Sequence, residues 1–471
     1  MVFSSVIFLF WFLPIFLGLY LLAAPRYKNG LILGASALFY AWGAPVFVFV
    51  FLGTTLLDFH LVRAMHQAPD ARKRKQWLVL SLILNLGLLA GLKYCNFFMD
   101  NLNAMLSALG SGPLPWTDVI LPLGISFFIF ESLTYLFDVY RGVHPPLDRF
   151  WDYQMYILLF PKLIAGPIVR YHDIADQISS RQESSDLFLT GMYRFVIGLA
   201  KKVLIADRLA AAAAPFFHTD PDQLSAGQAW LGITFAGLQM YFDFSGYSDM
   251  ALGLGRMMGF RFPENFNNPF IAGSLTEFWQ RWHISLGNWM RNYLYIPLGG
   301  NRVEPWKVYR NLWIVFLACG FWHGAGWNFI LWGALHGAVL VMERVFLGKW
   351  LARLGRIVGM AYLAVVFLLL YVLFYVEEVG MAFRYYGAMF TFRDGVPHVP
   401  EVEVWWILGI ALFLAWAAAI RPLQRAQDWL YAERQGIAGH VTLFLCSALL
   451  LLLCSSYIVW SPHNPFLYFR F

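Results

Sequence analysis

Long apolar segments recur along the whole chain, and they restrict the folds that are open to it. Hydrophobic residues make up 59% of the 471 residues and charged residues only 13%, against about 25% charged residues in soluble domains. A soluble core cannot bury this much apolar surface, whereas the hydrocarbon interior of a bilayer can cover it. The composition therefore predicts an all-α protein that crosses a membrane several times.

Thirteen apolar segments are candidates for membrane helices, although several are shorter than the roughly 20 residues that a span needs. We expect the shorter segments to tilt, to break or to re-enter the membrane. The first segment is too long for the core of a signal peptide, and no basic residue precedes it, so we predict a spanning helix that is retained. The candidates are 3–24, 29–42, 44–62, 77–95, 119–140, 152–169, 190–214, 228–246, 308–322, 327–347, 358–376, 403–420 and 439–460.

Basic residues cluster after the first, third and fifth of these segments, at 26–28, 63–75 and 141–149. Basic loops stay on the cytoplasmic side, so helices that alternate in direction predict a periplasmic or external N-terminus. The formal net charge of +6 does not indicate nucleic-acid binding, because that function needs basic residues interleaved with aromatic residues on a polar domain. The four cysteines lie in or beside apolar segments, which favours buried thiols over disulfides or a zinc site.

Two stretches in the middle of the chain differ from simple spans. Residues 160–167, FPKLIAGP, combine Pro, Gly and Lys at apparent membrane depth, which predicts a re-entrant segment that is buried in protein. Residues 260–298 are too polar to span, and Ser274-Leu-Thr-Glu277 fits a capping box that predicts a helix over 275–293. The Trp, Tyr and Arg side chains of this helix suit the headgroup zone. The helix therefore either lies on the membrane surface alone or also forms the floor of a cavity.

Histidine titrates near neutral pH and is therefore the side chain best suited to proton transfer. Of the eleven histidines, His283, His323 and His336 lie in stretches where a polar side chain costs free energy, which makes each a candidate functional residue. The other eight are predicted in loops or at segment ends, without a role in chemistry: His60, His66, His144, His172, His218, His398, His440 and His463.

His323 is the strongest candidate for a catalytic base. Trp322 precedes it and Gly324 follows it, so the backbone beside the histidine can approach a ligand closely. Residues 319–321 and Trp327 are expected to form a dry wall around it. These neighbours favour a functional His323 over a core histidine that is bonded to a backbone carbonyl.

The relation of His336 to His323 depends on the residues between them. Thirteen positions separate the two histidines, so in one continuous helix they would face nearly opposite ways. The Gly-Ala-Gly sequence at 324–326 predicts a break, however, and leaves their separation open. His336 fits a core histidine better than it fits a catalytic group.

Polar side chains also lie between two apolar runs at 237–255, GLQMYFDFSGYSDMALGLG. Carboxylates there can orient a histidine, bind a substrate or conduct a cation, or they can complete a hydrogen-bond network between helices. The candidates of this group are Asp243, Ser245, Tyr247 and Asp249. No metal site is predicted, because the sequence contains no His-Glu-x-x-His motif and no Cys/His cluster with ligand spacing. Phosphate-binding loops and a clear Gly-x-Ser-x-Gly elbow are also absent.

Several long motifs resemble the membrane-bound O-acyltransferase superfamily and, within it, a bacterial branch that O-acetylates polysaccharides. The opening MVFSSVIFLFWFLPIFLGLY is similar to the same branch, and the similarity is densest from about 120 to 343. The motifs are YFDFSGYSDMALGLG at 241–255, TEFWQRWHISLGNWMRNYLYIPLGGNR at 276–302, WHGAGWNFILWGALHG at 322–337 and NPFLYFRF at 464–471.

The resemblance implies one integral-membrane domain over 1–471, with a motif-dense core at about 120–345. Its fold would be a ring of membrane helices, with re-entrant and interfacial helices around a central tunnel. It implies an enzyme of the bacterial inner membrane that moves an acetyl group toward hydroxyls of a secreted or envelope polysaccharide. His323 matches the family histidine and would be the general base, and His283 matches a second histidine in an Arg-Trp-His motif. Trp322, His336 and the polar group at 243–249 would support the substrate or these histidines.

The resemblance also implies the reactants and partners. The acetyl donor would be acetyl-CoA, with no permanently bound cofactor. The partners would be membrane lipids, periplasmic acetyltransferase-like proteins and the machinery of polysaccharide synthesis and export, with no nucleic acid. The polysaccharide stays open between alginate, cellulose, peptidoglycan and other glycans, and YAWGAPVFVFV at 40–50 resembles the general branch more than the alginate type.

Three other functions compete with this interpretation. Intramembrane Asp and His residues would also suit a transporter or channel, although such proteins often show paired halves, and no internal repeat is evident. The chain could instead be a non-catalytic scaffold of a polysaccharide export complex. Within the family, D-alanylation of teichoic acid from an acyl-carrier protein is the alternative chemistry.

Overall fold

Helices form nearly all of the regular structure in the computed structural model, which describes residues 1–396 and 399–460. No β-strand occurs in those ranges, where a single antiparallel bridge joins Phe266 to Trp282. The prediction of an all-α protein is therefore confirmed. The motif at 464–471 and the histidines His398 and His463 lie outside the described residues.

The chain divides into two compact units, of which unit 1 comprises Met1–Val2, Ile7–Gln182 and Phe260–Phe262. Two π-helical turns, Phe8–Phe12 and Ala90–Tyr94, continue into its α-helices. These helices are α1 (Leu13–Leu22), α2 (Pro25–Ala41), α3 (Pro45–His66), α4 (Ala71–Leu89), α5 (Cys95–Ala108), α6 (Ile125–Arg141), α7 (Phe150–Leu158), α8 (Phe160–Leu163) and α9 (Tyr171–Ser179).

Unit 2 comprises Phe3–Val6, Glu183–Gly259 and the described residues from Pro263 onward. Its α-helices are α10 (Ser185–Ala200), α11 (Asp207–His218), α12 (Ala226–Met257), α13 (Leu275–Trp279), α14 (Ile284–Met290), α15 (Pro305–His323), α16 (Trp327–Met342), α17 (Gly348–Leu354), α18 (Arg356–Tyr375), α19 (Val379–Phe390), α20 (Val402–Trp416), α21 (Arg421–Leu430) and α22 (Ile437–Trp460). Shorter turns are π-helical at Lys201–Ala206, Arg291–Tyr295 and Glu343–Leu347, and 3-10 at Pro221–Gln223, Pro269–Ile271 and Ala417–Ala419.

Within residues 1–396 and 399–460, six helical stretches are long and apolar enough to cross a membrane. Large apolar side chains on them, such as Phe49, Ile357 and Trp406, are more than 70% exposed, as expected where lipid covers the surface. The chain is therefore a multi-pass membrane protein. The stretches are Pro45–His66, Ala71–Ala108, Trp327–Leu354, Arg356–Tyr375, Val402–Ala419 and Ile437–Trp460.

The basic clusters at 63–75 and 141–149 lie at the same end of unit 1. Arg74, in the first turn of α4, donates hydrogen bonds to the carbonyls of Val139 and Tyr140 in the last turn of α6. A cation is stabilised there, because the carbonyls at a helix C-terminus carry partial negative charge. The contact agrees with the alternation of helices on which the predicted orientation depends.

The predicted re-entrant segment at 160–167 begins with a single helical turn and continues without regular structure in unit 1. Helix α7 ends at Leu158, and the single turn α8 spans Phe160–Leu163. Lys162 is completely buried, and its ammonium group forms an ion pair with the equally buried Glu131 carboxylate. A buried lysine needs such a partner, because an uncompensated charge in a protein interior costs several kcal/mol. The segment is thus buried in protein, as its composition predicts.

Glycine allows two helix pairs of unit 2 to approach closely. A Cβ atom added to Gly198 on α10 would lie 2.5 Å from the carbonyl oxygen of Gly246 on α12. A Cβ atom on Gly320 of α15 would lie 2.3 Å from the carbonyl oxygen of Phe329 on α16. Small residues of this kind permit close packing between membrane helices. The second contact lies three residues before His323, so it helps to set the position of that histidine.

The predicted helix over 275–293 is wrong, because α13 ends at Trp279 and α14 begins only at Ile284. Its start is predicted correctly, since the Ser274 hydroxyl accepts a hydrogen bond from the Glu277 N–H at 3.1 Å. The Glu277 carboxylate accepts from the N–H of the preceding Gly273, at 2.9 Å. The N–H groups at 280–282 still bond to carbonyls of α13. The chain leaves the helix at His283, after which the Ile284 N–H donates to the Asn265 carbonyl at 3.0 Å.

Candidate active site

A small internal cavity in unit 2 brings together His283, His323 and His336, and we call it the histidine cavity. The volume open to water-sized molecules is about 30 Å³, which is room for about two waters. Transfer of a group between two reactants therefore needs the surrounding side chains to move apart. The rest of the lining is mainly aromatic and includes Phe244, Trp279, Trp282, Trp332, Tyr371 and Phe374.

His323 is the last residue of α15, and its ring is oriented by the helix itself. The Nδ1 atom lies 2.7 Å from the carbonyl oxygen of Cys319, one turn earlier. A carbonyl can only accept, so Nδ1 carries the proton and Nε2 keeps a lone pair. The residue as a whole is buried, with 6% of its surface exposed. His323 therefore presents a proton acceptor on a ring that lines the cavity.

Aromatic rings enclose His323 on several sides. The ring centroids of Trp322, Trp332 and Phe374 lie 4.8, 5.0 and 5.4 Å from that of the histidine. Trp327, which the sequence predicts in this wall, is instead 56% exposed. Trp332 and Phe374 take its place, because the break after α15 turns α16 back beside it. This enclosure excludes most of the water that would compete with an acceptor hydroxyl.

His283 is held by an asparagine that the sequence analysis did not single out. The His283 Nδ1 lies 3.1 Å from Asn265 Oδ1, which also accepts from the Ser285 hydroxyl at 2.8 Å and the Ser285 N–H at 3.3 Å. An oxygen that accepts from a backbone N–H is a true acceptor, so His283 Nδ1 carries the proton. The Asn265 amide in turn donates to Ser248 on α12 at 3.1 Å. This network orients the second histidine of the cavity.

The backbone at His283 is held in the left-handed region, with φ 46° and ψ 51°. A residue with a side chain adopts this conformation at a cost of about 1–2 kcal/mol, and such residues cluster at functional sites. Two hydrogen bonds hold the turn: Ile284 N–H donates to the Asn265 carbonyl at 3.0 Å, and Asn267 N–H to the Arg281 carbonyl at 2.8 Å. Asn265 thus fixes His283 through both its backbone and its side chain.

His336 lines the same cavity from α16. Its Nδ1 lies 2.8 Å from the carbonyl oxygen of Trp332. His323 makes the same bond to the carbonyl one turn earlier, so this bond does not distinguish a core histidine from a catalytic one. Its ring also packs against Trp332, Trp279 and Phe316, at centroid distances of 4.2, 5.4 and 5.9 Å. The predicted break between the helices therefore brings His323 and His336 to one cavity, on either side of Trp332.

The polar group on α12 forms ion pairs with neighbouring helices and does not line the histidine cavity. The Asp249 carboxylate accepts from Arg194 at 2.9 Å and from Lys201 at 2.7 Å. Asp243 pairs with Lys202 at 2.7 Å. Ser245, on the same helix, is buried. The ring of Tyr247 stacks on that of Phe3, with 4.8 Å between the ring centroids. Of the two interpretations of this group, the geometry favours the interhelical network.

Glu343 is a second residue that the sequence analysis missed. Its buried carboxylate accepts from the N–H groups of Leu275 and Thr276, at 2.7 and 2.9 Å, and from the Thr276 hydroxyl at 2.6 Å. The Tyr362 hydroxyl donates to it at 3.0 Å. A carboxylate is stable at a helix N-terminus, where unpaired N–H groups carry partial positive charge. Glu343 thereby ties the start of α13, which carries Trp279, to α16 and α18.

Helix α18 connects the histidine cavity to two larger cavities of unit 2. At its start, Arg356 lines a cavity of about 580 Å³ together with Arg344. In its second half Tyr371 lines the histidine cavity, and just beyond its end Glu377 and Glu378 line a cavity of about 680 Å³. We call these two the arginine-rimmed and the glutamate-rimmed cavity. A helix of 20 residues rises roughly 30 Å, so the two large cavities lie at opposite ends of a spanning helix, with the histidines between.

Replacing Asn265 with alanine is expected to lower the acyl transfer that the sequence resemblance implies on the order of 10²-fold, because a small displacement of a positioned group costs that much. The change removes the acceptor that fixes the His283 ring. The rate of acyl-ester formation per folded molecule, in membranes with matched protein abundance, measures the effect. Asn85→Ala is the control, since Asn85 is also buried and bonded, to Asp58 in unit 1. Equal losses in both variants would show that Asn265 acts only on folding.

Comparison with known proteins identifies the family of the chain. The sequence profile of the family described as "MBOAT, membrane-bound O-acyltransferase family" matches residues 117–385, which is more than half of the chain. The "Probable alginate O-acetylase AlgI" of Azotobacter vinelandii is 41% identical over 503 residues, covering 100% of both chains. The protein of the same name from Pseudomonas aeruginosa is 47% identical over 83% of this chain and 75% of its own length. The "Peptidoglycan O-acetyltransferase" of Helicobacter pylori is 38% identical over 74% of this chain and 71% of its own.

The matched range 117–385 includes the positions of the three histidines of the cavity, of Asn265 and of Glu343. The relatives named above carry the names of O-acetylases or O-acetyltransferases. The similarity covers 71% or more of the length of each of them. The chain is thus an enzyme that belongs to the membrane-bound O-acyltransferase family, in the branch of the alginate O-acetylases.

Proposed function

We propose that this O-acyltransferase moves an acetyl group from a cytoplasmic thioester, acetyl-CoA, toward the hydroxyls of a secreted or envelope polysaccharide. The observation that carries the proposal is the orientation of His323. Its Nδ1–H is bonded to the Cys319 carbonyl, and its Nε2 lone pair belongs to a ring that lines an enclosed aromatic cavity. The acetylated substrates named for the relatives, alginate and peptidoglycan, support a glycan as the final acceptor.

The chemistry requires one proton acceptor that later becomes a donor. The acceptor O–H gives its proton to His323 Nε2 while its oxygen attacks the thioester carbonyl carbon, which forms the C–O bond. The C–S bond then breaks, and the departing thiolate takes the proton from the imidazolium. A positioned neutral imidazole contributes roughly 10²–10⁴-fold to such a step. Exclusion of water by the aromatic lining limits hydrolysis of the donor.

His283 is the second residue of the reaction in this proposal. Its proton is held on Nδ1 by Asn265, so its Nε2 can accept a hydrogen bond from the acceptor hydroxyl and orient it toward His323. His336 and Trp322 support these two rings by packing. This division of roles is supported by the fact that both His283 and His323 are buried within one cavity lining.

The two large cavities suit reactants that arrive from opposite sides of a membrane. The arginine-rimmed cavity is also lined by Glu277 and Glu343, whose carboxylates are engaged by other groups of the chain. Its two arginines therefore suit an anionic donor such as acetyl-CoA, which carries phosphates. Basic connections at 26–28, 63–75 and 141–149 favour a periplasmic N-terminus in the bacterial inner membrane. Periplasmic acetyltransferase-like proteins and the polysaccharide export machinery are then the partners that complete delivery.

Labelled donors test the reaction. Inverted membrane vesicles, with their cytoplasmic face outward, would be given acetyl-CoA with a labelled acetyl group, and label in base-labile esters of envelope or secreted glycan would be counted. We expect incorporation that depends on this protein. Vesicles given a D-alanyl acyl-carrier protein serve as the comparison, and incorporation from that donor alone would contradict the proposal. Ester formation in vesicles that lack the protein would assign the activity to another enzyme.

A further inference from the structure

The glutamate-rimmed cavity adjoins the histidine cavity without being part of it. It has a volume of about 680 Å³ and is lined from α11, α12, α18 and α19. Neighbouring residues face the two cavities in turn, since Gln239 lines the large cavity and Met240 the histidine cavity. In the same way, Phe374 lines the histidine cavity and Tyr375 lines the large cavity. A molecule in the large cavity therefore lies one residue away from the wall of the candidate active site.

Gln239 is the feature of this cavity that packing does not explain. The residue is only 7% exposed, and its amide oxygen is buried and accepts no hydrogen bond from any residue in 1–396 or 399–460. A buried acceptor without a donor costs free energy, so such groups call for a ligand or another explanation. The oxygen itself has almost no exposed surface, so the amide has to rotate toward the cavity before an O–H group of a bound molecule supplies the missing donor.

The walls around Gln239 are aromatic. Phe217 lies 4.3 Å from Tyr375 and 5.0 Å from Tyr385, measured between ring centroids, and the second pair is parallel within 6°. The Tyr385 hydroxyl is engaged by the Ala229 carbonyl at 2.8 Å, so this ring contributes its apolar surface. Flat apolar surfaces beside a few placed polar groups are typical of sites that orient a small ligand. The C–H faces of a sugar ring fit such a surface while its hydroxyls reach polar groups.

The rim of the cavity is negatively charged. Glu377 and Glu378 are exposed, and neither carboxylate has an ion-pair partner among the described residues. The nearby Arg384 is engaged elsewhere, since it pairs with Asp220 and, at 2.5 Å, with Asp222. The bond to Arg384 is the main cause that lowers the pKa of Asp220 below its usual value. The arginine thus offers no charge to an anionic ligand, and two carboxylates would repel one.

From these observations we propose that the glutamate-rimmed cavity binds a neutral, polyhydroxylated acceptor, a glycan unit without carboxylates, with a hydroxyl bonded to Gln239. The inference rests on the proposed function and adds the class of acceptor to it. It separates this chain from its relatives that are named for alginate, because alginate is a polymer of uronates with one carboxylate per sugar. The free carboxylates of the rim hold such a chain away from the cavity and accept hydrogen bonds from neutral hydroxyls.

Binding to the purified full-length protein in lipid nanodiscs tests the proposal with two probes of equal length. One is a hexasaccharide of β-1,4-linked glucose, and the other is a hexasaccharide of mannuronate. We expect the neutral probe to bind at least about tenfold more tightly at low salt, and the difference to shrink at 0.5 M salt, where exposed charges are screened. Gln239→Leu should weaken the neutral probe roughly tenfold, because it removes a hydrogen bond from a buried group.

Two further variants test whether Gln239 and the rim carboxylates cause the difference in affinity between the two probes. Gln424→Leu, the same change on the exposed α21, should leave binding of both probes as in the wild type. Glu377→Gln combined with Glu378→Gln should tighten the uronate probe several-fold and leave the neutral probe within about twofold. Equal affinities of the two probes for the wild type at low salt, or a Gln239→Leu variant with unchanged affinity, would overturn the proposal.

A segment of a partner protein is the competing occupant of the glutamate-rimmed cavity. The same binding assay distinguishes it from a glycan. Binding of a serine-rich peptide from a periplasmic partner, with no binding of either hexasaccharide at millimolar concentration, would also overturn the proposal. His323→Gln separates this inference from the proposed function, since it should abolish acetyl transfer but leave binding of the neutral probe unchanged. If the wild type binds the neutral probe but transfers no acetyl group, the proposed reaction is wrong while the binding site is assigned correctly.

Discussion

Replacing His323 with glutamine is expected to lower acetyl transfer on the order of 10²–10⁴-fold, which is the usual contribution of a general base. Glutamine has a similar reach, and its amide N–H can keep the bond to the Cys319 carbonyl that the imidazole makes. It has no lone pair that takes up a proton near neutral pH. Initial rates of acyl-ester formation, normalised to the amount of protein in the membrane, measure the effect.

His336→Gln is the matched control for this experiment. His336 is also buried, lines the same cavity and is bonded through Nδ1 to the carbonyl one turn earlier. If His336 only packs against Trp332 and Trp279, its replacement should cost less than roughly tenfold in rate. The assignment of the base fails if His336→Gln abolishes transfer while His323→Gln leaves it near the wild-type rate.

Replacing Asp249 with asparagine is expected to lower the free energy of unfolding by about 3–5 kcal/mol, the typical cost of removing one partner of a buried ion pair. The Asp249 carboxylate accepts from Arg194 at 2.9 and 3.0 Å and from Lys201 at 2.7 Å. An amide cannot balance two cations that are held between α10 and α12. The melting temperature of the purified protein in detergent reports the change.

Asp222→Asn is the matched control, because it makes the same substitution at an exposed carboxylate. Asp222 pairs with Arg384 at the surface. Asp222→Asn should leave the melting temperature unchanged, because exposed ion pairs contribute little. The turnover of Asp249→Asn per folded molecule distinguishes the two interpretations of this carboxylate. A variant that folds and melts like the wild type but has lost its activity would show that Asp249 acts in the reaction rather than in the interhelical network.

The break in the predicted helix over 275–293 shows where local patterns stop being informative. Ser274 and Glu277 signal the start of α13, because a cap depends on residues three positions apart. The end of α13 depends on Asn265, ten residues before its first turn, whose backbone and side chain hold His283 in a left-handed conformation. No periodicity within the helix contains that information. Propensity is overridden by a long-range contact, as is common at functional sites.

The composition determined that the chain is an all-α, multi-pass membrane protein, because apolar surface on this scale has no other stable environment. Sequence motifs also determined the family and the identity of His323 and His283 as candidates, since these depend on residue types at short spacing. The tertiary structure alone decided that both histidines share one cavity with His336, and that Asp249 and Asp243 serve ion pairs. It also decided that Phe374 and Trp332, far apart in sequence, enclose His323. Such groupings follow from helix packing, which places residues together by burial and close contact rather than by their order in the chain.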